Sequence, residues 1–309
     1  MASRLGEIGS WPVTRIGSAS AVLLLAIVAC SREGAGVAPT QVAYNPVFVD
    51  QKGTLNVFPP DGPTFSMDLP ISITGIAYAP DGLSLYGFGL PREGLSGLQR
   101  ISFSPLRSDV VPGTASFRMV SGVAASPEQD RVVISGRYGI DATGECGLFE
   151  VVRRGNIRKV AGSGTCNSSE SWVRLSLAPD GKRLLGYKES QLEIIEIESG
   201  SIRALGDRYV GGAWSPDGKW IAVLEGTGGD QTVLLDAKTT AVVRRLGSTN
   251  LQWSPDSRFL LGERSQSCFP EWGTFVVIDV STGSETIIPS SHCKVNLNTT
   301  GWLDRGIRP

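Results

Sequence analysis

Residues 211–218 read Gly-Gly-Ala-Trp-Ser-Pro-Asp-Gly (GGAWSPDG). Proline holds φ where the first corner of a type I turn needs it, aspartate bonds back to a nearby backbone N–H, and glycine takes the positive φ that reverses the chain. The octet is therefore the end of a strand followed by a tight turn. Four further segments align with it: 75–82 (GIAYAPDG), 122–129 (GVAASPEQ), 174–181 (RLSLAPDG) and 250–257 (NLQWSPDS). The prolines fall at 80, 127, 179, 216 and 255, a mean spacing of about 44 residues. The second copy carries Glu128-Gln129 in place of Asp-Gly, which weakens its turn and keeps its spacing.

A period of this length suits four short strands with their turns, the size of one propeller blade. Each turn is followed by a short apolar run, as in residues 183–186 (RLLG), 220–223 (WIAV) and 259–262 (FLLG), expected as half-buried second strands. A hairpin follows at 192–205 (LEIIEIESGSIRAL), 233–246 (VLLDAKTTAVVRRL) and 275–288 (FVVIDVSTGSETII), supplying strands three and four. The ends complement one another. Residues 301–304 (GWLD) begin a further blade, with Trp302 49 residues after Trp253. Residues 55–58 and 64–69 form a hairpin that no Pro-Asp-Gly unit precedes, and Val47–Val49 supply a second strand beside it. Joining the two ends in one sheet removes the open edges of a stack of blades. The expectation is an all-β fold, a six-bladed β-propeller over residues 47–309, closed by N- and C-terminal strands in one composite blade.

The APDG and SPDG turns, the tryptophan before Ser-Pro and the IxxxD hairpin resemble the TolB-like, WD-related propeller family over about residues 47–304. The resemblance implies the fold and little about activity, because the family includes accessory domains of peptidases, envelope proteins and lipoproteins. The founding member's additional α/β domain does not fit the 45 or so residues before this propeller, so its complex is not carried over.

With 41% apolar and 19% charged residues the chain is ordinary globular material, and 38 glycines among 309 residues suit many tight turns. The formal charge is -1 and no run of five like charges occurs, which argues against a nucleic-acid partner. Arg4 and Arg15 precede an apolar run at residues 19–29 (ASAVLLLAIVA), of signal-peptide length and too short for an ordinary spanning helix. The run ends Ile27-Val28-Ala29-Cys30, which resembles the bacterial lipobox. Residues 1–29 are thus expected as a lipoprotein signal peptide, Cys30 as the lipidated residue and residues 30–46 as a flexible tether. Acyl chains contribute about 0.8 kcal/mol per buried methylene, so two or three suffice for stable anchoring. The expected place is the bacterial cell envelope, facing the periplasm or the exterior, with the membrane as one partner and the protein a monomer.

Four cysteines remain: Cys146, Cys166, Cys268 and Cys293, with no Cys-x-x-Cys spacing. An even count in an exported chain favours disulfides. Of the three possible pairings, Cys146–Cys166 with Cys268–Cys293 alone keeps both bonds within a blade, each loop contributing about 3 kcal/mol in the loop-entropy picture.

The only histidine is His292, beside Cys293, and no Gly-x-Ser-x-Gly elbow occurs, so a Ser-His-Asp hydrolase is not expected. Asp81, Asp180, Asp217 and Asp256 recur because the turn needs them, and no metal or cofactor is assigned. Trp214, Trp253 and Trp302 share one repeat position and are expected between blades. Binding is expected on the loops joining second to third strands and successive blades. These carry Arg92, Arg137, Tyr138, Glu145, Glu263, Arg264 and Trp272, a mixture of charge and aromatics suited to a peptide or protein surface. The expectation is a non-enzymatic binding scaffold. The alternative is a calcium-dependent lactonase or esterase, as some six-bladed propellers are, with its ion in the channel.

Overall fold

The computed structural model describes residues 43–49, 53–69, 75–89, 97–126, 131–139, 144–152, 155–162, 171–226, 231–247, 249–264, 274–288 and 300–306. All belong to one compact unit spanning residues 34–309. The first strands are β1 (Tyr44–Val49), β2 (Thr54–Val57) and β3 (Phe65–Asp68). Blade 1 holds β4 (Gly75–Tyr78), β5 (Ser84–Gly89), β6 (Gly97–Phe103) and β7 (Leu106–Val110). Blade 2 holds β8 (Phe117–Ser126), β9 (Arg131–Tyr138), β10 (Glu145–Val152) and β11 (Asn156–Ala161). Blade 3 holds β12 (Val173–Leu177), β13 (Arg183–Lys188), β14 (Gln191–Glu196) and β15 (Ile202–Gly206). Blade 4 holds β16 (Tyr209–Trp214), β17 (Trp220–Glu225), β18 (Gln231–Asp236) and β19 (Val242–Leu246). Blade 5 holds β20 (Thr249–Trp253), β21 (Phe259–Arg264), β22 (Thr274–Asp279) and β23 (Glu285–Ile287), and β24 (Thr300–Asp304) comes last.

These strands form six four-stranded antiparallel sheets, five of them meanders of consecutive strands, and the sixth has the order β24-β1-β2-β3. Its seam is the ladder from Tyr44↔Asp304 to Phe48↔Thr300. The expected six-bladed propeller with a composite blade is the observed fold. One boundary moves. Residues 44–46, placed in the tether by their polar character and Pro46, belong to β1. Pro46 stands opposite Trp302 and accepts a hydrogen bond from the Phe58 N–H at 2.9 Å. Residues 1–42, and with them the signal-peptide and Cys30 readings, lie outside the described residues.

The core is six clusters, one at each junction between neighbouring blades. Strand period explains why. Successive side chains point to opposite faces, so Ile221 and Val223 of β17 pack towards blade 3 while Ala222 and Leu224 pack towards blade 5. In β1, Val47 and Val49 join the cluster shared with blade 1, and Phe48 joins the one shared with blade 5. The second strands are therefore buried on both faces, not half-buried as their short runs suggested. Leu184, Leu185, Ile221, Ala222 and Val223 are all fully enclosed. Continuous apolar runs are what a strand covered on both sides requires, each large aliphatic contributing about 1.5–3 kcal/mol.

The repeated turn does what its residues predict. Asp81, Asp180, Asp217 and Asp256 each accept a bond from the N–H two residues on, at 2.8–3.1 Å. A backbone bond closes each reversal, and the residue after aspartate is left-handed: Gly82, Gly181, Gly218 and, in blade 5, Ser257 at φ 60. Ser215 and Ser254 strengthen two copies. Each donates to the turn aspartate and accepts from the first N–H of the next strand. The blade 2 turn, with Glu128 and Gln129, lies outside the described residues.

Candidate functional site

The innermost strands of the six blades, β4, β8, β12, β16, β20 and β24, enclose a central channel of about 840 Å³. That size falls in the range of ligand pockets. Small residues keep it open: Ala77, Gly122, Ala124, Gly211, Gly212 and Ala213 all line it. The aromatic position of the repeat closes its wall. Trp214, Trp253 and Trp302 are 5, 7 and 2% exposed and sit in the clusters between blades, as their repetition implied. The Trp253 indole N–H donates to the Ala213 carbonyl at 3.1 Å, and that of Trp302 to Gln252 at 2.7 Å, so each ring ties its blade to the preceding one. In blade 1 the same position is Tyr78, whose ring lies on Gly301 and whose phenol is pushed up by burial.

The channel has two unlike ends. At the end formed by the repeated turns stand Asp81, Asp217 and Asp256. Burial opposes ionisation of Asp217, but bonds from Ser215 and Lys219 and the Lys219 charge hold its carboxyl below the ordinary value. Tyr44 lies near Asp256 and Asp304, and burial together with both charges raises its phenol. Neighbouring turns touch here. The Asp217 N–H donates to Ser257 Oγ at 2.8 Å, and a Cβ on Gly82 would meet both Pro255 and the Asp304 backbone. Each of these aspartates spends an oxygen on its own turn. Among the described residues no three His, Cys, Asp or Glu side chains converge to hold a metal ion.

At the other end the innermost strands begin, and here every one of β8, β12, β16 and β20 is bulged. In β12, β16 and β20, three residues of the inner strand span two of its partner, while β8 uses four. A bulge re-aims the side chains beside it. It turns Arg174 to the channel, and among the described residues lining the channel Arg174 is the only basic one.

No protein-family model matches this chain, and no curated protein matches its sequence. Solved structures do resemble it. A chain of the nidogen/laminin complex superposes with a TM-score of 0.57 at 11% identity, covering 84% of this chain and 98% of that one. The putative TolB from Agrobacterium tumefaciens gives 0.52 at 18% identity, covering 79% and 87%. A puromycin hydrolase mutant complexed with PGG gives 0.51 at 15% identity, covering 84% of this chain and 49% of that one. These likenesses show the fold, a six-bladed propeller.

In this propeller the expected binding residues divide between two places. Tyr138 pairs with Glu145 and Arg137 with Cys146 at one end of blade 2. The Tyr138 ring is committed to the core, 5.1 Å from Phe117 and 5.7 Å from Phe149, and Glu145 is paired with Lys159 at 3.1 Å. Glu263 and Arg264 end β21 in blade 5, three blades away across the ring. They share a rim with the blade 2 group but do not form one patch. Arg92, Trp272, His292, Cys166, Cys268 and Cys293 lie outside the described residues, as do the side chains of Glu263 and Arg264. Cys146 is 5% exposed and disulfide-bonded. Sequence reasoning passed over Arg174, although a signal was present: it stands where three of the other four repeat copies have glycine.

Proposed function

We propose that this chain is a lipid-anchored binding scaffold of the bacterial envelope, whose propeller takes a peptide or protein segment at its central channel. The observation that carries the reading is the channel itself, about 840 Å³, walled by small residues, with carboxylates at one end and a guanidinium at the other. Such a passage suits an extended polar chain better than a compact apolar ligand. The fold likeness to a chain of the nidogen/laminin complex agrees with protein recognition by a propeller. Anchoring rests on the apolar run 19–29 and the Ile27–Cys30 lipobox, and the disulfides Cys146–Cys166 and Cys268–Cys293 on blade spacing.

Cross-linking in intact cells, with the protein carrying Cys30 compared with Cys30→Ala, tests both parts. The expected results are acyl labelling and membrane recovery that Cys30→Ala abolishes, and a cross-linked partner displaced by substitutions lining the channel. A chain that stays soluble with Cys30 intact refutes the anchor. Bound calcium whose chelation stops ester hydrolysis would replace the scaffold with the hydrolase reading. Peptide mapping that finds a bond between blades would overturn the pairing.

A further inference from the structure

Four of the five aligned repeats begin with glycine or asparagine, Gly75, Gly122, Gly211 and Asn250, and neither Gly122 nor Gly211 has a positive φ. Blade 3 has Arg174 there, and it adopts φ 52, a left-handed conformation that a residue with a Cβ enters against its preference. Backbone strain of this kind persists where the surrounding structure enforces it, and it concentrates at functional sites. The surroundings are shaped to the side chain. The β12 bulge between Val173 and Ser176 turns it to the channel. Gly211 of blade 4 leaves room for it, since a Cβ there would stand 2.9 Å from the Arg174 Cδ. Nη1 donates to the Val210 carbonyl at 2.7 Å, which fixes the guanidinium across the junction of blades 3 and 4.

That bond uses part of a five-donor fork. Among the described residues no carboxylate forms an ion pair with Arg174, and the acids of the channel wall, Asp81, Asp217 and Asp256, are on the turns at the opposite end. We propose that Arg174 is a carboxylate hook, selecting peptides that enter the channel with an acidic group leading. A guanidinium already oriented by one bond offers its remaining N–H groups to both oxygens of a carboxylate with little further ordering. The aspartates at the far end repel a second acid, so the channel favours one acidic group at the Arg174 end and a neutral or basic remainder. This rests on the peptide-binding reading above and adds its chemical selectivity.

The experiment uses the full-length protein and an array of random hexapeptides made twice, with a free C-terminal carboxylate and as the carboxamide. Each Asp- or Glu-containing member is paired with its Asn or Gln twin. Wild type is expected to bind the acid-bearing member of a pair at least about tenfold more tightly, the scale of a charge-assisted hydrogen bond. Arg174→Gly restores the residue of three of the other four repeats and relieves the backbone, so it should melt at the same temperature or higher while binding both members equally. Loss on C-terminal amidation identifies a chain terminus as the source of the carboxylate, and loss on the Asn or Gln exchange identifies a side chain. If Arg174→Gly keeps the preference, or wild type binds peptides without one, the hook is refuted and peptide binding stands. If wild type binds no member of the array, both fail.

Discussion

Gly301→Ala strikes the seam where β24 meets β1. A Cβ at 301 would stand 2.3 Å from Cγ of Tyr78, 2.4 Å from Cδ2 and 2.6 Å from Cδ1, where ordinary contact begins at 3.4 Å. The overlap is therefore about 1 Å against three atoms of one rigid ring. Neither side can yield freely. Tyr78 packs against the cluster between the composite blade and blade 1, and Gly301 is held by its register with Val47. Overpacking of a core costs about 1–3 kcal/mol, and three simultaneous clashes place this substitution at the upper end, about 3 kcal/mol. Urea unfolding followed by circular dichroism reads the loss, with Gly62→Ala as the control, since its nearest neighbour would be Pro59 Cβ at 3.6 Å. Tyr78→Ala removes the obstacle. The double variant should then lose at least about 2 kcal/mol less than the two single losses together. A Gly301→Ala protein as stable as wild type, or losses that simply add, would refute the packing argument.

Thr240 occupies the left-handed corner that Gly200 and Gly283 fill in blades 3 and 5, at φ 59, so Thr240→Gly should raise the urea midpoint by the equivalent of about 1 kcal/mol. Glu150, 4% exposed, lies 2.7 Å from Arg131 and 2.6 Å from Arg158, which also bonds the Ile197 carbonyl of blade 3. Glu150→Gln leaves both arginines uncompensated; because Arg158 is half in solvent, the expected loss on chemical unfolding is about 2 kcal/mol, below that of a fully buried pair. Burial alone would raise the Asp279 carboxyl, but bonds from Ser281 and Thr282 and the Arg258 charge hold it below its ordinary 3.8. A depressed carboxylate stabilises the fold above its unfolded pKa and ceases to do so as pH falls through its folded one. Thermal melts between pH 5 and pH 2 should thus fall less steeply for Asp279→Asn than for wild type, and parallel curves would contradict the assignment.

The parts of the fold legible in the sequence are those governed by local chemistry. Pro-Asp-Gly marks a reversal whatever surrounds it, and five copies with a half-blade at either end count out the ring. What surrounds a strand is not local. Residues 220–223 show a short apolar run, and only neighbouring blades on both sides reveal that Ile221 and Ala222 are equally enclosed. The same applies to the site. Glu145 and Glu263 both belong to strand ends on one rim, but their separation by three blades is a property of closure, not of spacing along the chain. Arg174 was hidden because neither the sign of φ nor a bulge is visible in a residue name, and its place becomes apparent only beside Gly211, which makes room for its side chain.

The β24–β1 seam has a consequence in time. Five blades are made of hairpins whose strands follow one another and can pair as soon as they meet, whereas the sixth joins segments from the two ends of the described chain. Loop closure over so long a span is slow compared with hairpin formation. The five consecutive blades should therefore accumulate first as an open arc, its two end faces uncovered, and the ring locks as a final event. The same ladder is the one place where the finished ring can open without unpairing any sheet of consecutive strands, and amide exchange should be fastest there among the innermost strands.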